Sequence, residues 1–174
     1  ANGDVLIGNG AIGTDALIIQ SASTTDGQGQ VVDATISGKL EVHNYDNRAA
    51  NNDIGNNLRV LGSITANNGI TLINDERDIT MGSLQATETI TSNGPVEIQA
   101  TNNVRNAADI KSTTGAVTIT ANNDLINDGV VETTSGDIKL TSKNGMIFNS
   151  DNGDLLTSSG NVTLLADGSA ATTE

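Results

Sequence analysis

The chain has 174 residues, a hydrophobic fraction of 36% and a formal net charge of −13, with Tyr45 and Phe148 as its only aromatics and no cysteine. That charge argues against nucleic acid, whose phosphates need clustered Lys and Arg, and against anionic membrane surfaces. Disulfides and thiolate metal sites are excluded, and a composition rich in small aliphatics suits a narrow stacked core better than a compact globule built on aromatics.

Read from the N-terminus, the first third is irregular. Residues 5–19 are strongly β-forming, while residues 27–30 and 44–57 are polar and expected to leave the main body as loops. The chain begins at Ala1 without Met and shows no signal peptide, as expected of a processed product or an excised segment. No apolar run approaches the length of a membrane-spanning helix, so no membrane insertion is expected. No stretch holds the apolar period of a helix.

From residue 62 onward one phrase recurs: an aliphatic residue, a Ser/Thr/Asn cluster, a glycine, then a short alternating strand. Its copies start at Ile64, Ile90, Ile110, Val131 and Leu156, and their glycines are Gly69, Gly94, Gly115, Gly136 and Gly160, spaced by 25, 21, 21 and 24 residues. The strands read Ile70-Thr-Leu72, Val96-Glu-Ile98, Val117-Thr-Ile119, Ile138-Lys-Leu140 and Val162-Thr-Leu164. Alternation turns the aliphatic pair inward and leaves Glu97, Thr118, Lys139 and Thr163 outward. The second half of each turn, as in Leu125-Ile-Asn127, supplies a further strand, and the three extra residues of the last step are expected in the 149–154 stretch.

Asn-Gly pairs such as Asn68-Gly69, Asn93-Gly94, Asn144-Gly145 and Asn152-Gly153 are hairpin signals, and by themselves they suggest an antiparallel meander. The period decides otherwise. A phrase repeating in one polarity every low-twenties residues specifies a solenoid. The expected fold is therefore all-β, a right-handed parallel β-helix with rungs of about 21 residues and ladders such as Val96, Val117, Ile138 and Val162 inside. The Asn-Gly pairs become corners, with glycine supplying positive φ. The expected organisation is irregular turns with longer loops over 1–61, regular repeats over 62–168 and a polar tail over 169–174.

Reactive groupings are sparse. His43, the only histidine, ends a strand and is expected to face outward as a surface residue, with no nucleophilic elbow beside any serine. Asp75, Glu76 and Asp78 are close in sequence, but Arg77 lies among them and no aromatic sugar platform is near. Asp151-Asn-Gly-Asp154 and Asn51-Asn-Asp53 lack the spacing of a calcium loop and suit corners better. Thr89-Ile-Thr91 and Thr118-Ile-Thr120 are expected not to continue from rung to rung. Asn161-Val-Thr163 is a glycosylation sequon. The expectation is no catalysis, no cofactor and no metal.

The segment from Gly115 to Thr133, GAVTITANNDLINDGVVET, resembles a repeat of the filamentous haemagglutinin family, the exported adhesins of two-partner secretion and contact-dependent inhibition systems. The resemblance covers residues 62–168, and its most specific element is Val-x-Ile followed by Leu-x-Asn-x-Gly. It implies the shaft of an extracellular filament, secreted or held at the bacterial cell surface. The expected partners are a host or neighbouring-cell surface, or copies of the chain itself if uncapped ends polymerise. The expected contact loop carries Tyr45, Arg48, Asn51 and Asn52, since Tyr and Arg are enriched in binding hot spots.

Overall fold

The structure is a computed structural model that describes residues 5–9, 17–20, 23–24, 30–31, 34–44, 57–75, 77–82 and 88–167. Its strands follow one another three to a turn. The first turn holds β1 (Val5–Asn9), β2 (Leu17–Gln20) and β5 (Ala34–Ile36), with the short antiparallel pair β3 (Ser23–Thr24) and β4 (Gln30–Val31) set between β2 and β5. The next holds β6 (Leu40–Asn44), β7 (Leu58–Leu61) and β8 (Ile64–Ala66), and the third β9 (Ile70–Asn74), β10 (Ile79–Met81) and β11 (Thr89–Ser92). Then come β12 (Val96–Ala100), β13 (Val104–Asn106) and β14 (Asp109–Ser112), followed by β15 (Val117–Ala121), β16 (Leu125–Asn127) and β17 (Val131–Thr133). A further turn holds β18 (Ile138–Ser142), β19 (Ile147–Asn149) and β20 (Leu155–Thr157), and β21 (Val162–Ala166) lies beyond it.

Equivalent strands stack into three parallel sheets. The first runs β1-β6-β9-β12-β15-β18-β21, the second β2-β7-β10-β13-β16-β19 and the third β5-β8-β11-β14-β17-β20. This is the expected β-solenoid. Val96 pairs with Val117, Val117 with Ile138 and Ile138 with Val162, so like stacks on like. The rung is 21 residues at its most regular and averages about 23 over the four coils from Ile70 to Val162. Apart from the β3–β4 pair, the strands before residue 62 join the same three sheets with longer connections.

The core follows from the alternation. Val96, Ile98, Val117, Ile119, Ile138 and Leu140 are buried, as are Ile79, Val104 and Leu125 from the second sheet and Ile64, Ile90, Ile110 and Val131 from the third. Three inward ridges of Val, Ile and Leu fill a narrow interior in which each side chain packs on its counterpart one rung away. β-branched residues suit that pleated stacking. Backbone hydrogen bonds between turns continue through the corners: Thr113 N donates to Ser92 O, Thr134 N to Ser112 O and Lys143 N to Ala121 O.

Four expectations need correction. Leu155, not Leu156, pairs with Val131, so Leu156 faces outward beside Glu132 and is 48% exposed. Val162 and Leu164 keep their places in the columns, but they are 42% and 49% exposed because no described strand covers β21 on its far side. Of the three extra residues in the last step, two lie in the 150–154 connection and one in the 143–146 corner. Most punctuating glycines do not supply positive φ: among the described glycines only Gly62, Gly69 and Gly82 have it. The others are required by closeness. A Cβ on Gly136 would sit 2.2 Å from Gly115 O, and one on Gly160 would sit 1.9 Å from Gly136 O.

Candidate functional site

Among the described residues, most buried polar side chains are organised as ladders along the axis of the coil. At the end of the second-sheet strands, Asn106 Nδ2 donates to Asn127 Oδ1 at 2.8 Å and Asn127 Nδ2 to Asn149 Oδ1 at 2.8 Å. The same amides turn the corner by donating to Ala108 O at 2.9 Å and Gly129 O at 2.8 Å, and Asn149 does so to Gly153 O. Asn44 and Asn74 form a shorter ladder at the end of the first sheet, 2.8 Å apart. A buried amide costs little only when its donors and acceptors are met, and stacking identical residues meets them with one repeated geometry.

The corner after the third sheet uses hydroxyls. The single Ser112 hydroxyl lies within donating distance of Gly94 O and Gly115 O, at 2.9 and 2.8 Å, and accepts from Gly115 N at 3.0 Å. Thr133 and Thr157 repeat this toward Gly115 O and Gly136 O, each accepting from the glycine three residues on. The entrance to the second sheet uses carboxylate or amide oxygens. Asp78 accepts from Asn103 N, Asn103 from Asp124 N and Asp124 from Met146 N, all at 3.0 Å.

These ladders absorb most residues that looked reactive. Asp78 also accepts from Asn102 Nδ2 at 2.7 Å, so its carboxylate joins one turn to the next. His43 faces outward as expected, but it is only partly exposed: its Nε2 lies 2.6 Å from Asp75 Oδ2, across 32 residues of chain and one rung. Asp75 and Asp78 thus have different hydrogen-bond partners. Glu76 lies outside the described residues, as do Asn51-Asn-Asp53 and the expected contact loop with Tyr45, Arg48, Asn51 and Asn52. The strands flanking that loop, β6 and β7, are fixed to β9 and β10. Among the described residues no three His, Asp or Glu side chains converge to hold a metal ion.

The outer faces differ in character. The first sheet shows Glu97, Thr118, Lys139 and Thr163 in one column. The second shows Arg59, Thr80, Arg105, Ile126 and Phe148, with Arg105 paired to Asp128 at 3.0 Å. The third carries a threonine column that the sequence reading missed, Thr35, Thr65 and Thr91, which passes to Lys111 and Glu132. It went unseen because its members lie 30 and 26 residues apart, off the regular period. Lys111 Nζ contacts both Glu132 oxygens at 3.1 Å. Toward β21 the surface turns apolar: Met146, Phe148, Leu156 and Leu165 are all about half exposed or more. A groove of about 430 Å³ opens there between Glu132, Leu155, Leu156 and Val162.

Comparison of the chain with protein-family models, with curated proteins and with solved structures finds no match.

Proposed function

We propose that this chain is a structural shaft: a segment of β-solenoid in an extracellular bacterial filament or adhesin, which holds exposed loops away from a cell and presents them to host or neighbouring-cell surfaces. The observation that carries this reading is axial continuity. Aliphatic columns, amide ladders, hydroxyl corners and carboxylate caps all run along the same axis, and each links one turn to the next rather than converging on a cleft. Such an arrangement resists bending, and among the described residues it brings no nucleophile, base and orienting group together. The acidic groups best placed for chemistry, Asp75 and Asp78, are bound to His43 and to Asn102 and Asn103. The chain therefore acts by shape and display, without turnover. The resemblance of residues 62–168 to filamentous haemagglutinin repeats supports the same reading and a secreted or cell-surface location.

A second reading, a self-assembling fibre subunit, is favoured by one observation. Val162 and Leu164 continue the interior columns with no described strand over them, and a free parallel edge templates further strands. Negative-stain electron microscopy of the purified chain separates the two. Short isolated rods support the shaft, and concentration-dependent long fibres support the subunit. Compact particles without an axis, or turnover of a polysaccharide lost on Asp75→Asn or Asp78→Asn, would reject both.

A further inference from the structure

Four Asn-Gly pairs fall within the described residues: Asn68-Gly69, Asn93-Gly94, Asn144-Gly145 and Asn152-Gly153. Asn-Gly is the dipeptide most prone to losing its side-chain amide, because glycine leaves its own nitrogen free to approach. The fold treats the four differently. Gly94 N donates to Ser92 Oγ at 3.0 Å, Gly145 N to Ser142 Oγ at 3.1 Å and Gly153 N to Ser150 O at 2.9 Å. The Asn144 amide is also held, donating to Asn122 O and Asn122 Oδ1.

Gly69 has no such partner among the described residues, and the register says why. It follows Ala66 by three positions, as Gly115 follows Ser112, Gly136 follows Thr133 and Gly160 follows Thr157. Ala66 occupies the same column as Ser92 and, through it, Ser112, Thr133 and Thr157. Each of those hydroxyls accepts from a corner glycine N–H, whereas Ala66 has no side-chain oxygen to offer. Asn68 is exposed, so its side chain can rotate toward the Gly69 nitrogen, although Gly69 itself is buried and base must enter the corner to reach that nitrogen.

We propose that Asn68 is a site of spontaneous deamidation, and that the corner hydroxyls are what keep Asn93 and Asn144 inert. The Gly69 nitrogen loses its proton to solvent base and attacks Asn68 Cγ. The new C–N bond closes a succinimide, and the side-chain nitrogen leaves as ammonia. Water then opens the ring at either carbonyl, giving aspartate or isoaspartate. Either product adds a negative charge at this corner. The isoaspartate also lengthens the main chain by one carbon, next to the point where Ile70 N donates to Pro95 O. A hydrogen-bonded amide must first break its bond to react, which lowers its rate roughly fivefold or more.

The test is peptide mapping by mass spectrometry of the folded chain aged at mildly alkaline pH, beside the same chain unfolded in urea. Asn68 is expected to convert at least about fivefold faster than Asn93, Asn144 and Asn152 in the folded chain, and the four rates are expected to converge in urea. Ala66→Ser should slow Asn68 by a similar factor, and Ser142→Ala should speed Asn144, with circular dichroism confirming that each variant is folded. Equal rates at the four asparagines in the folded wild-type chain overturn the proposal without any variant. So does an unchanged Asn68 rate in folded Ala66→Ser.

Discussion

At the scale of single residues, the coil divides sharply into positions that tolerate change and positions that do not, and neighbours in sequence fall on opposite sides. Ile119 is fully buried between Ile98 and Leu140, whereas Thr118 next to it faces solvent between Glu97 and Lys139. Ile119→Asp places a carboxylate with no partner in an aliphatic column, at a cost of several kcal/mol. Thr118→Asp adds a charge beside Lys139 and costs less than about 1 kcal/mol. Urea denaturation of the two variants checks this, and equal midpoints would reverse the assignment of faces. Asn127→Ala removes an amide that serves Asn106, Asn149 and Gly129 O at once, and is expected to cost about 2–4 kcal/mol. Asn123→Ala, in an exposed ladder with Asn102, should cost under about 1 kcal/mol. The inward and outward columns were legible because a period of two within a strand and a period near 21 between strands agree at every copy. The asparagine ladder was legible in principle, as Val104-x-Asn106, Leu125-x-Asn127 and Ile147-x-Asn149. Reading it needs the thought that an inward polar residue can satisfy itself against its own repeat.

At the scale of the element, corners rather than strands set the register. Leu155-Leu156 shows this. Both residues are apolar, the connection before them is longer than in the previous turn, and alternation cannot choose between them. The corner chooses: Leu155 stands five residues before Gly160, as Val131 stands before Gly136, and the Thr157 hydroxyl locks that spacing by accepting from Gly160 N. Counting backward from the glycine would have found the right leucine. The corners' reason for glycine is likewise physical rather than conformational. Consecutive turns are separated by the spacing of paired strands, about 4.8 Å, which leaves no room for a methyl pointing along the axis. Gly136→Ala would drive a carbon to within 2.2 Å of Gly115 O, so the turns must part locally. The expected loss is about 2–3 kcal/mol. Hydrogen exchange should localise it, with protection falling in β17 and β18 and holding in β9. A loss spread evenly over all described strands would mean that the coil melts as one unit and that the corner has no local role.

At the scale of the whole molecule, the solenoid separates its body from its display. Each turn contacts only its neighbours, so stability accumulates along the axis and an insertion at one corner need not disturb the next rung. The 45–56 connection tests this directly. It joins β6 to β7, and both strands are anchored elsewhere: β6 to β9 with Leu40 opposite Ile70, and β7 to β10 with Leu58 opposite Ile79. Lengthening a loop adds only a slowly growing closure entropy, and shortening one returns it, provided that the ends still reach. Deleting residues 45–52 removes Tyr45, Arg48, Asn51 and Asn52 and leaves the stretch 53–57 to close the corner. The β-sheet circular dichroism spectrum is expected to be unchanged, and the urea midpoint to move by an amount worth less than about 1 kcal/mol. If the loop is the contact site, attachment of the purified rod to cells falls to background while the rod keeps its shape in electron micrographs. Attachment undiminished in the deletion variant excludes the loop and moves the search to the half-exposed apolar girdle of Met146, Phe148, Leu156 and Leu165. Loss of the sheet spectrum would contradict the separation itself, because it would mean that the loop holds the coil together rather than being held by it.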